Sequence, residues 1–174
     1  MSTARRIGIR ALAYAAVLLV AGCRELDAEV APSELDPHYF RCNVEPVLIK
    51  SCGQLACHGH TERFFRVFGR NRLRYGLPPE KRNEPLLDGE RSHNFASAAA
   101  FVDREEPALS LLLTKPLDQK AGGAYHGGAN EYGMGDVYLA KDEDDFAALA
   151  AWAAGAKADP SCLQPGEAQG GSAP

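Results

Sequence analysis

The sequence predicts a domain built mainly of short helices that are joined by irregular segments. Apolar residues recur at helical spacing in 43–51 and again in 142–154, at the two ends of the expected domain. Between them, proline- and glycine-rich stretches interrupt two shorter helical patterns. A chain of 174 residues is long enough for one such domain with a single core.

The first residues have the pattern of an export signal. Arg5, Arg6 and Arg10 precede an apolar run over 11–21, which is too short to be a transmembrane helix. The run ends in Val-Ala-Gly-Cys at 20–23, which resembles the lipobox of bacterial lipoproteins. We therefore expect a signal peptide over 1–22 and lipid on Cys23. The alternative is an ordinary secretory signal, with Cys23 a free or disulfide-bonded thiol.

The lipid on Cys23 would attach the protein to a membrane surface, and Arg24 at the second mature position favours the outer membrane. The next residues are acidic and contain Pro32 and Pro37, so we interpret 23–38 as a flexible tether. The formal net charge is −4, and removal of the leader would make the rest more acidic. This charge gives no indication of nucleic-acid binding.

The first helical pattern leads directly into a cysteine-histidine motif. Asn43 is a suitable N-cap, and apolar residues at 44, 47 and 48 form one face of a helix. Cys52, Cys57 and His58 follow, with four residues between the cysteines, whereas the usual c-type haem-attachment motif has two. The motif therefore looks like a haem-attachment site with an enlarged loop, in which haem c is bound covalently.

Two other readings of this motif remain open. Zinc could be bound by Cys52, Cys57, His58 and His60, because thiolate and imidazole are suitable ligands. Alternatively, Cys52 and Cys57 could form a disulfide in a haem-free surface lipoprotein that acts as an interaction or structural module.

The middle of the chain holds aromatic and basic residues. Phe64, Phe65 and Phe68 are candidates for the wall of a haem pocket, or for an ordinary core. The arginines and lysines of 70–82 could pair with haem propionates or an acidic redox partner, although a solvated face explains most of them more simply. Helical patterns are expected over 94–102 and 107–113, after a surface loop at 76–91.

A glycine-rich stretch over 122–135 contains two candidate metal ligands, His126 and Met134. The closing helix is expected over 142–154, with acidic residues at its N-terminus, Trp152 in the core and Gly155 as the C-cap. The tail over 164–174 is rich in glycine, proline and serine, a composition typical of disorder.

Together, these patterns resemble a class I cytochrome c domain of the divergent kind found in exported bacterial lipoproteins. The resemblance implies an all-α, cytochrome c-like fold over 39–163, with short helices around a haem and long irregular loops. It also implies thioether bonds at Cys52 and Cys57 and an iron ligand at His58. In such a fold the first and last helices cross, which would bring Cys42 and Cys162 close enough for a disulfide.

The resemblance also implies a distal iron ligand, for which the sequence offers more than one candidate. His126 has the expected order along the chain, while Met134 lies nearer the closing helix, and an open position is a third alternative. Methionine ligation would raise the reduction potential. The implied function is that of a membrane-anchored monohaem c-type cytochrome, an electron carrier between extracytoplasmic redox proteins rather than an enzyme.

Overall fold

The computed structural model describes residues 34–128 and 135–159. The chain divides into two units, 1–32 and 33–174, and the first of these lies outside the described residues. The predicted leader, the lipidation site Cys23, the candidate ligand Met134, Cys162 and the tail also lie outside them. Within the described part, no helix is both long and apolar enough to span a membrane.

The described residues form helices and loops without a β-strand, apart from two isolated bridges that join Phe68 to Leu73 and Leu117 to Tyr138. Within the described ranges, the principal helices are α1 over 37–52, α2 (Asp88–Ala99), α3 (Leu111–Thr114) and α4 (Asp144–Ala153). Three 3₁₀ turns accompany them, at Pro79–Lys81, Pro107–Leu109 and Gln119–Ala121. The described domain is therefore mainly helical, as the sequence predicts.

The first helix, α1, alternates between α- and π-helical segments: Pro37–Tyr39, π-helical Phe40–Val44, Glu45–Val47 and π-helical Leu48–Cys52. Pro46 cannot donate a backbone hydrogen bond, so a regular α-helical ladder cannot continue through it. The helix begins before the predicted N-cap Asn43, because Asp36 accepts hydrogen bonds from the N–H groups of His38 and Tyr39, both at 2.8 Å.

The packed domain also begins before the expected boundary at residue 39. Leu35, which falls in the predicted tether, is buried in the core. The indole N–H of Trp152 donates to the carbonyl of Asp36 at 2.9 Å, and Lys157 donates to the carbonyl of Glu34 at 3.1 Å. Residues 34–38 are thus fixed against the closing helix.

The expected contact between the first and last helices is present. Phe40 of α1 lies against Trp152 of α4, with ring centres 5.0 Å apart, and Phe95 of α2 contacts both rings. Trp152 is fully buried, as predicted, and at the other end of the pair Lys50 forms a 2.8 Å ion pair with Asp145. Residues of α1 and α4 therefore form one core, of which Cys52 is a part.

The second helix begins within the predicted surface loop, at Asp88 rather than near residue 94. Glu90 in its first turn accepts a hydrogen bond from the N–H of Leu87 and forms a buried ion pair with Arg74, in which the side chains of Glu90 and Arg74 are 0% and 1% exposed. Arg74 also donates to four backbone carbonyls of the loop, those of Lys81, Arg82, Glu84 and Pro85. We call Arg74, Glu90 and these carbonyls the Arg74 anchor. It shows that one arginine of the basic run is interior rather than solvated.

Candidate functional site

An open cleft of about 290 Å³ lies beside the end of α1. Its wall is mostly apolar, but it includes both cysteines of the motif, two histidines and two basic residues. The cleft is lined by Leu48, Ser51, Cys52, Cys57, His58, Arg63, Phe64, Phe65, Phe101, Leu111, Leu112, Lys115, Pro116, His126, Val137 and Leu149. The structure therefore brings together four predicted site residues, Cys52, Cys57, His58 and His126, that span 75 positions of the sequence.

The two cysteines of the motif are free thiols that both face this cleft. Cys52 is the last residue of α1 and is buried, and Cys57 is half-buried. Burial raises the pKa of the Cys52 thiol to about 12, with a smaller contribution from Cys57. In the structure they are not joined, so the disulfide of the haem-free alternative is not formed here.

The enlarged loop between the cysteines is closed by backbone hydrogen bonds. The N–H groups of Cys57 and Gly59 both donate to the carbonyl of Gln54 at 2.9 Å, and the N–H of His58 donates to the carbonyl of Cys52 at 3.0 Å. A Cβ atom at Gly59 would overlap the carbonyl oxygen of Gly53. The glycine thus allows the chain to return across its own start, which holds Cys57 and His58 beside Cys52.

The ring of His58 is oriented by the backbone. Its Nδ1 lies 2.9 Å from the carbonyl oxygen of Phe65, and because a carbonyl can only accept, Nδ1 carries the proton. Nε2 is then the nitrogen with an available lone pair, the arrangement typical of histidines that ligate metals. Burial lowers the pKa of His58. The hydrogen bond to Phe65 opposes this, and the nearby His126 and Arg63 lower the pKa further, so the neutral form that a metal ligand requires is favoured.

His126 lies opposite His58. The two ring centres are 6.1 Å apart and the ring planes differ by only 7°. Burial lowers the pKa of His126 as well, helped by the charge of Lys115 and opposed by Asp136. Burial therefore favours the neutral form of both imidazoles, whose ring planes are nearly parallel.

The distance between the ring centres, taken by itself, matches that of two imidazoles that ligate one metal ion from two sides. An imidazole nitrogen lies ~2.0 Å from its metal, so the centres of two rings on opposite sides of one ion are about 6 Å apart. Two thiols and an apolar wall beside such a pair fit the donor set and surroundings of a covalently attached haem. The zinc alternative has weaker support, because His60 is exposed and no group of three candidate ligands occurs among the described residues.

The three phenylalanines predicted to form the pocket wall lie in different surroundings. Phe65 lines the cleft and contacts His58, with ring centres 4.8 Å apart, and Phe101 of the following segment packs on Phe65 at 5.3 Å. Phe64 is fully exposed at the edge of the cleft, and Phe68 is buried away from it. Phe101, Leu111 and Lys115 were not predicted as site residues, since nothing in their local pattern distinguishes them from core or surface positions.

Cys42 is disulfide-bonded, and its partner lies outside the described residues because Cys52 and Cys57 are free. The predicted pairing with Cys162 therefore stays a prediction, as do lipidation of Cys23 and the competing ligand Met134.

Comparisons with known proteins give no relative on which to base an assignment: no protein-family model, no curated protein and no solved structure matches this chain.

Proposed function

We propose that this domain is a monohaem c-type cytochrome with a cytochrome c-like fold, which carries single electrons between extracytoplasmic partners. The observation that carries the proposal is the pair of parallel imidazoles, His58 and His126, 6.1 Å apart in a mostly apolar cleft that also holds two free thiols. Helical content and contact between the first and last helices are further support.

The haem would be held by thioether bonds to Cys52 and Cys57 and by the imidazoles of His58 and His126. When bound, it supplies a centre that accepts and releases one electron. The chain's own residues keep the two imidazoles neutral and in place, and surround the site with apolar side chains such as Leu112 and Leu149 that exclude water. No group of this chain is required to undergo chemistry during electron transfer.

The proposal extends to location. The signal peptide over 1–22 and a lipid on Cys23 would place the domain outside the cytoplasm, on a membrane that is best assigned as the outer membrane. With Cys23 modified in this way, Cys162 would be the cysteine left to pair with Cys42. The redox partners would be proteins of the same compartment.

The first test is an alkaline pyridine haemochrome spectrum of the full chain, produced in a host that attaches c-type haem, after denaturation and removal of free haem. The expected result is a c-type band that corresponds to one haem per chain. Absence of the band, together with Cys52 and Cys57 oxidised to each other, would overturn the proposal in favour of the disulfide-stapled lipoprotein.

The ligands are tested by three alanine variants. His58→Ala should abolish the native haem spectrum, and His126→Ala should change the ligation but leave the thioether bonds intact. The matched control is His60→Ala, since His60 is a neighbouring but exposed histidine. An unchanged spectrum in His126→Ala would transfer the distal assignment to Met134.

A further inference from the structure

The segment that carries His126 lies along the end of α3 and the turn after it. Its contacts with that part of the chain include three hydrogen bonds. The N–H of Gly123 donates to the carbonyl of Asp118 at 2.9 Å, the N–H of Ala124 donates to the carbonyl of Thr114 at 2.7 Å, and the ammonium of Lys115 donates to the carbonyl of Tyr125 at 2.7 Å. The contacts proceed along the chain towards His126, and the one from Lys115 is the closest to it in sequence.

The first two of these contacts belong to the backbone. At Gly123 a Cβ atom would overlap the carbonyl oxygen of Leu117, so this glycine allows its segment to lie directly against the backbone of residue 117. Because both bonds join backbone groups, they hold residues 123 and 124 without the help of a side chain. The third hydrogen bond is made by a side chain, that of Lys115, and it is accepted by the peptide group that immediately precedes His126.

Lys115 also belongs to the cleft. Its side chain is half-buried and lines the cleft together with His126, and its charge acts on the imidazole. A hydrogen bond from an ammonium group is stronger than one between neutral groups, because the donor is charged. A fixed positive charge near a redox centre also favours the reduced state, since reduction adds a negative charge.

We propose that Lys115 is the positioning residue for His126: its hydrogen bond to the Tyr125 carbonyl holds the imidazole opposite His58, and its charge raises the reduction potential of the site. This inference rests on the proposed haem-binding function and adds to it a residue outside the ligand set. It makes Lys115 responsible for the strength of the distal ligation but not for haem attachment.

The test uses the haem-loaded full chain with Lys115→Met, which keeps most of the side-chain length and removes the donor and the charge. Lys115→Arg keeps both a donor and a charge. Lys120→Met is the matched control. Lys120 is an exposed lysine on the adjacent 3₁₀ turn, so replacing it with methionine removes the same charge from the same region. For each variant we would measure the ferric absorption spectrum, the affinity for added imidazole and the reduction potential.

Lys115→Met should show a mixture of low-spin and high-spin ferric haem and about a tenfold higher affinity for added imidazole, since loss of a hydrogen bond to a charged group changes an equilibrium constant by on the order of tenfold. Its potential should fall. Lys115→Arg should remain close to the wild type in all three measurements, and Lys120→Met should keep the wild-type spin state and imidazole affinity.

A Lys115→Met protein with the spin state and imidazole affinity of the wild type would overturn the inference while leaving the cytochrome intact. Failure of the proposed function is distinguishable, since it would appear as the absence of a haemochrome band in the wild type. If Lys115→Met does not fold, Lys115→Gln retains a neutral donor and should give an intermediate imidazole affinity; wild-type affinity in that variant would also overturn the inference.

Discussion

The Arg74 anchor and the cleft both bring polar side chains into the interior, but they treat those groups in opposite ways. In the anchor, the guanidinium of Arg74 is bonded to Glu90 and to four carbonyls, and Glu90 also accepts from the N–H groups of Tyr75 and Leu87. In the cleft, the thiols of Cys52 and Cys57 are not joined, and the nearly parallel rings of His58 and His126 lie with their centres 6.1 Å apart.

The difference separates a structural role from a functional one. A buried charge whose hydrogen-bonding capacity is filled by the protein stabilises one arrangement of the chain and has nothing left to offer a ligand. The free thiols of Cys52 and Cys57 line an apolar cleft and are not bonded to each other, so they remain available to a ligand. Changes to the anchor should therefore alter stability and spare the proposed haem ligation, whereas changes around the cleft should affect that ligation more than stability.

The largest effect on stability is expected from Arg74→Met. The change leaves the carboxylate of Glu90 buried without its charged partner, which destabilises a protein by about 3–5 kcal/mol. Urea denaturation of the haem-loaded protein would measure the loss, and the haem spectrum of the folded fraction should remain that of the wild type. The matched control is Lys50→Met, since the Lys50–Asp145 pair is equally short but its side chains are 73% and 32% exposed. A similar loss in both variants would contradict the distinction by burial.

These two ion pairs also show what local sequence can and cannot predict. Helical spacing was sufficient to place α4 and most of α1, because one buried face repeats along each helix. The sequence does not distinguish Arg74 from its solvated basic neighbours, because its partner Glu90 lies sixteen positions away, in a stretch with the composition of a loop. The start of α1 was placed too late because Asp36 caps it from within an acidic, proline-containing segment.

In the candidate site, too, local motifs could be predicted from the sequence but contacts between distant segments could not. Cys52, Cys57 and His58 stand out because their motif is local, and His126 stands out because it lies in a glycine-rich stretch. That His126 faces His58, and that Lys115 secures the chain before His126, depends on how distant segments pack. No periodicity within either segment carries that information, so these relations required the structure.

A smaller loss of stability, with a larger effect on the cofactor, is expected from Gly59→Ala. A methyl group there would press on the carbonyl of Gly53, and overpacking of this kind costs about 1–3 kcal/mol. Because the loop must open to admit the methyl group, Cys57 should move relative to Cys52, and the yield of covalently attached haem should fall. Urea denaturation and the haemochrome band per chain are the two measurements.

Gly89→Ala is the control for this change. Gly89 lies in the first turn of α2, and a Cβ atom there would meet nothing within 4 Å. Alanine is favoured over glycine within a helix, so this variant should be as stable as the wild type or more so. Wild-type haem yield in Gly59→Ala would contradict the role assigned to the loop closure.

The smallest effect is expected from a change of pH, which protonates Glu90 of the Arg74 anchor without altering any residue. Burial raises the pKa of Glu90, but the Arg74 guanidinium and two backbone N–H groups together more than offset it, so the pKa lies below its ordinary value of 4.5. A carboxyl whose pKa is lowered by folding stabilises the protein fully above its unfolded value, and that contribution is lost as the pH falls through the folded value. Glu90→Gln mimics the protonated carboxyl.

The difference in free energy of unfolding between wild type and Glu90→Gln should therefore be constant between neutral pH and about pH 5, and shrink below about 4.5. Urea denaturation across this range would measure it. A difference that stays constant in acid would mean that the negative charge of Glu90 contributes nothing to stability, and the anchor would then be held by hydrogen-bond geometry alone.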